Sequence, residues 1–137
     1  MPATHIQDGS VARDISRGAV QLLREHAGRG PTKARTVISK DTIAIILGDT
    51  LTKGERGFVA KGERQHVLHS RDILQQLMRD EWVQLVEGLS GRTVEAFFSD
   101  DHIDPDYAVE FFLLHPLPAG ENKAIAGVAG EAEPPAW

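Results

Sequence analysis

The chain has 137 residues, no cysteine, a formal net charge of -5 and charged residues of both signs dispersed along most of its length. That length supports one domain with a modest core. The composition excludes disulfides, thiolate chemistry and Cys-based zinc sites, and the lack of a massed basic run argues against nucleic acid as a partner. The longest apolar run, residues 43–47, falls far short of the roughly 20 residues a membrane-spanning helix needs. The opening MPATHIQDGS lacks a basic start followed by an apolar stretch, so it does not read as a secretory signal. A soluble, cytoplasmic chain without direct membrane insertion is expected.

Val11, Ile15, Ala19, Leu22 and Leu23, continued by His26 or Ala27, recur at steps of three and four, which predicts a helix with one apolar stripe. Ser10 is its expected N-cap, Gly28 and Gly30 end it, and residues 1–9 are left as an N-terminal extension. ARTVIS and TIAIILG read as two strands joined through Lys40 and Asp41, an antiparallel hairpin. Thr52 with Glu55 forms a capping-box pattern before a short, glycine-weakened helical piece. A long helix is predicted over residues 63–87, with Leu74, Leu77, Met78, Trp82, Leu85, Val86 and Leu89 as its buried stripe. RTVEAFF and YAVEFFLL make a second strand pair.

The expected fold is α+β, in the order α-β-β-α-β-β, with a four-stranded, mainly antiparallel sheet and both long helices on one face. Arg35-Thr36-Val37 and Arg92-Thr93-Val94 each follow a glycine-rich helix end, a weak internal echo. The other face of the sheet would carry residues such as Glu95 and Glu110, or be covered by a second subunit. Phe97 and Phe98 are adjacent, as are Phe111 and Phe112. One of each pair must therefore point away from the helices, and a homodimer is expected to cover that side. Residues 10–116 form the single domain. From residue 117 the chain is dominated by Gly, Ala, Pro and Glu without a sustained period, which reads as a flexible tail.

Two loops concentrate the candidate binding residues. SDDHIDPD holds Asp100, Asp101, His102, Asp104 and Asp106 between two strands. Asp and Pro favour a plain hairpin turn with the carboxylates in water and the third strand ending at Ser99 and Asp100. Oxygen ligands also suit a hard cation, so whether a metal binds stays open. GRGPTK, with Arg29, Gly30, Pro31, Thr32 and Lys33, is no Walker A loop. It reads as a helix cap followed by an extended turn, or as a glycine-rich anion cradle. The two loops would meet if Arg29 or Lys33 paired with Asp100 or Asp104. Glu63, His66 and His69 share one helical face and read as an exposed polar stripe rather than half of a metal site. No serine sits in a nucleophile pattern, and neither a cofactor nor a catalytic residue is expected.

GRGPTK, MRDEW…GRTVEAFFSD and DHIDPDYAVEFFLL, in this order, resemble the MpsC-like family, first described as a domain of unknown function. The resemblance covers residues 10–116 and implies a non-enzymatic accessory protein of a membrane ion or inorganic-carbon transport system, named for a predicted sodium-translocating, membrane-potential-generating system. It brings no catalytic residues. The alternative is a cytoplasmic small-ligand or cation sensor with a pocket between the two loops. Deleting residues 117–137 is expected to leave the melting temperature almost unchanged, since their composition supports no core; a large drop in calorimetry would show a docked tail, through Trp137.

Overall fold

The structure, a computed structural model, describes residues 2–118, with side chains from residue 9 onward. The elements are α1 (Pro2–Ala27), β1 (Lys33–Ser39), β2 (Thr42–Gly48), α2 (Lys53–Ala60), α3 (Arg64–Ser90), β3 (Val94–His102) and β4 (Tyr107–Leu114). The four strands form one antiparallel sheet in the order β1-β2-β4-β3, and α1 and α3 pack together on one face of it. The α+β architecture expected from the sequence is present. α1 starts well before the Ser10 cap, inside the expected extension. The tail residues from 119 on, Trp137 among them, lie outside the described residues.

The core follows the two periodicities. Ile15, Ala19 and Leu23 come from α1, and Met78, Trp82 and Val86 from α3. Ile43, Ile45 and Leu47 of β2 and Phe112 and Leu114 of β4 meet them from the sheet. Gly18 leaves the space that Leu85 of α3 fills, so the two long helices approach closely. Phe97 packs on Phe112 beneath the helices with ring centres 5.0 Å apart, while Phe98 meets Phe111 on the other side at 6.2 Å. One ring of each adjacent pair thus faces away from the helices, as strand alternation requires.

The buried stripe of α3 differs from the expected one. It runs Val67, Arg71, Gln75, Met78, Trp82 and Val86, and Leu77 is 74% exposed. The steps are four, four, three, four and four, a regular helical face. Two polar residues lie in it because each has partners inside. Trp82 Nε1 donates to Gln75 Oε1 at 2.8 Å, and Arg71 is enclosed by the loops described below. The echo between the halves also fails at the residue level. Arg35 is exposed on β1, whereas Arg92 is buried and bonds Asp41 at 2.6 Å and the His115 carbonyl at 2.9 Å.

Glu110 corrects a further expectation. It points not to the open face but under the helices, with no exposed surface. Both alternating sets of β4, Tyr107-Val109-Phe111-Leu113 and Ala108-Glu110-Phe112-Leu114, are mostly apolar, so alternation alone does not say which one meets the helices. Ser99 faces Glu110 across the strand pair, but neither its hydroxyl nor either carboxylate oxygen completes a hydrogen bond among the described residues. Burial is the main reason that the carboxyl is pushed up to about 8, with the Asp101 charge adding to it and the Arg71 charge partly opposing it. The folded state therefore keeps this proton over a pH range in which the unfolded chain has lost it. Stability should fall as pH rises from about 4.5 to about 8 and level off beyond. Glu110→Met should flatten this part of the profile and raise the melting temperature at pH 8. A variant with an unchanged profile would show that the carboxyl is not held neutral.

Candidate functional site

α1 ends where Gly28 takes a positive φ of 79° and donates its N–H to the Arg24 carbonyl at 3.0 Å. At Gly30 the returning chain passes α1 so closely that a Cβ would meet Val20 Cγ1 at 2.9 Å and the Val20 carbonyl at 3.0 Å. The loop is thereby pressed against its own helix, and Arg29 and Thr32 are aimed at the segment after β2. That segment, residues 49–52, turns at Asp49 with φ 58°, a left-handed conformation that Asp tolerates. It then enters α2 through the capping box: Thr52 Oγ1 accepts from Glu55 N at 3.1 Å, and Thr52 N donates to Glu55 Oε1 at 2.8 Å.

Three charged centres converge here, at the end of the sheet where β3 turns into β4. The Asp49 carboxylate accepts from Arg29 at 2.9 Å, Thr32 at 2.8 Å and Arg56 at 2.7 Å. Arg29 also donates to the carbonyls of Asp49 and Leu51. The Asp106 carboxylate accepts from Thr50 N at 3.0 Å, Thr50 Oγ1 at 2.8 Å, Leu51 N at 3.0 Å and Arg56 at 3.2 Å. Arg71, 8% exposed at its side chain, grips both oxygens of Glu55 at 2.7 and 2.9 Å. It also donates to Asp101 at 3.1 Å and to the hydroxyl and carbonyl of Thr50 at 3.0 and 2.7 Å.

The sequence motifs therefore meet, but through different cations. Arg29 pairs with Asp49 rather than Asp100 or Asp104, and Lys33 makes no side-chain hydrogen bond or ion pair among the described residues. The reason lies in β3, which runs on to His102 rather than ending at Ser99 and Asp100. Alternation then turns Asp101 inward to Arg71, and Asp106 is half-buried rather than free in water. Asp100 stays exposed, with its carboxylate accepting from Asp101 N at 3.0 Å. Asp104 is exposed in the turn beside the cis bond to Pro105, and His102 Nδ1 lies 2.7 Å from the Pro105 carbonyl. Glu63, His66 and His69 are exposed, and His66 lies against Phe58 with ring centres 5.1 Å apart. Among the described residues no group of three or more His, Asp or Glu is placed to hold a metal ion.

The carboxyls respond to their neighbours. The Thr32 hydroxyl, then Arg29 and Arg56, hold Asp49 below its ordinary value against the opposing effect of desolvation. Burial pushes Glu55 up, but Arg71 and the Thr52 N–H outweigh it and the net direction is down. At Asp101 burial wins over Arg71, and the charges of Asp100 and Glu55 push the same way, so it moves up. Beside this network, on the open side of the sheet, lies an open depression of about 1020 Å³. Thr32, Lys33 and Arg35 line one wall, Asp100 and His102 the other, and Tyr107 and Val109 the floor between. Arg56 and Arg71 escaped the sequence reading. The usable signal was the capping box, because Glu55 at its N3 position needs a cation once the α2 entry is buried.

Residues 7–116 match the family model described as MpsC, Na+-translocating membrane potential-generating system. The match takes in both loops, all four strands, α2, α3 and α1 from residue 7 on. Comparison with curated proteins and with solved structures gives no match. No helix among the described residues is long and apolar enough to cross a membrane.

Substitutions should sort by burial rather than by motif. Arg71→Met strands Glu55 and Asp101 and should cost about 3 kcal/mol or more. Asp106→Asn removes the charge facing Arg56 and weakens two backbone contacts, at about 1–3 kcal/mol. Asp104→Asn should change stability by less than about 0.5 kcal/mol. Urea titrations of the three variants check this order; an Asp104→Asn loss as large as that of Asp106→Asn would refute it.

Proposed function

The chain belongs to the MpsC family, and on that premise we propose that it is a non-enzymatic accessory protein that acts by binding, associated on the cytoplasmic side with a membrane ion or inorganic-carbon transport system. One observation carries this reading. The carboxylates that converge at the loops are committed to arginines and backbone N–H groups. Asp106 accepts from Thr50, Leu51 and Arg56, and Asp49 from Arg29, Thr32 and Arg56. A general base needs an accessible lone pair near a reacting proton, and a carboxylate saturated with donors is suited instead to holding a surface in shape. The family description supplies the system, sodium translocation coupled to a membrane potential.

In cells lacking the chain, the sodium-dependent part of the membrane potential, read with a potential-sensitive dye in sodium and in choline media, should fall and return on complementation with the wild type. An unchanged potential in the deletion strain would overturn the reading.

A cation or small-ligand sensor is the second reading, favoured by the depression that sets Thr32 and Lys33 opposite Asp100 and His102. It requires a saturable rise in melting temperature with sodium, calcium or bicarbonate that Asp100→Asn abolishes. The accessory reading expects no such rise.

A further inference from the structure

No described element covers the open face of the sheet, and Phe98 on it is 58% exposed. The strand registers set its residues in rows across the four strands. One row reads Arg35, Ile46, Val109 and Asp100. The next reads Val37, Ala44, Phe111 and Phe98, entirely apolar. The face therefore has an apolar centre, a cation on the β1 edge and a carboxylate at the same level on the β3 edge.

We propose that a second copy of this chain packs face to face on this surface, about a twofold axis that lies in the interface and runs parallel to the strands. Such an axis carries the β1 edge of one copy over the β3 edge of the other while keeping the level along the strands. Arg35 of each copy then meets Asp100 of the other, so the pair forms twice, and the partner's Arg35 enters the depression beside Asp100 and His102. The apolar rows are buried against each other at the same time. An axis across the strands does not do this. It lays each strand over its own copy, so Arg35 on one edge never meets Asp100 on the opposite edge. Aligned sheets pack about 10 Å apart and within about 30° of each other, a gap that a long guanidinium side chain spans. A self-complementary patch of this kind is what a closed twofold dimer requires, and the charges fix its register.

Light scattering on the full chain, from low to high micromolar concentration, should give twice the 15.0 kDa chain mass. Arg35→Asp and Asp100→Arg should each raise the dimer Kd about tenfold or more, since like charges then face each other. The double variant should return to within about threefold of the wild type, because the pairs are restored with their signs exchanged. Phe98→Asp, at an exposed position, should give a monomer with an unchanged circular dichroism spectrum. A monomeric wild type overturns the proposal; if deletion of residues 119–137 then yields a dimer, the chain's own terminus is the occupant instead. A dimer that neither single reversal weakens, or that the double variant does not restore, overturns the proposed axis.

Discussion

The Arg71 guanidinium is the interaction on which the arrangement at this end of the sheet depends. It sits on the buried face of α3, where an uncompensated charge would cost several kcal/mol. Its five hydrogen bonds reach three separate parts of the chain: the N-cap region of α2 through Glu55, the loop after β2 through Thr50, and β3 through Asp101. Each is needed to satisfy a donor that has no water to turn to. The charge on the helix thus decides where the loop, the short helix and the end of the strand lie, and Arg29 and Asp106 then find their partners on a loop already fixed.

The charges around this centre do not balance. Arg29, Arg56 and Arg71 serve Asp49, Glu55, Asp101 and Asp106, three cations for four carboxylates. The surplus falls on the carboxyl with the poorest pairing. Asp101 has one arginine contact, shares that arginine with Glu55, and is pushed toward its neutral form. Glu110 lies further into the core, and the Asp101 charge opposes its ionisation as well. Burial is the larger cause of both shifts, and the excess negative charge nearby adds to it in the same direction.

The sequence was legible where one side of an element is clearly apolar. The β1–β2 hairpin, the long third helix and the capping box at Thr52 all stand close to where periodicity and turn chemistry set them. It was illegible where a polar residue is inside. Residue type marks Leu77 for the core and Arg71 for the surface, because it says nothing of a partner contributed 16 or 30 positions away. Glu110 is hidden for a different reason: both alternating sets of β4 are mostly apolar, so alternation does not say which one meets the helices. The aspartate loop was half legible. A pairing of its aspartates with arginine or lysine was legible, but the identity of the arginines depended on how far β3 runs before it turns. Two more strand residues reversed the direction of Asp101.

A second buried arginine works at the other end of the sheet. Arg92 holds the Lys40 carbonyl, the Asp41 carboxylate and the His115 carbonyl, and so ties the β1–β2 turn to the end of β4. A buried arginine thus ties the sheet at each end, Arg71 joining β3 to the loop after β2 and Arg92 joining the β1–β2 turn to the end of β4. The face that carries Val37, Ala44, Phe111 and Phe98 inherits this rigidity without supplying any of it. A surface ordered before it meets a partner loses little conformational freedom on docking, so a modest apolar area suffices for binding. The buried ion pairs and the exposed aromatic row are then two sides of one construction: charge is confined beneath the sheet and at its edges, and the middle of the open face is left apolar and held in place.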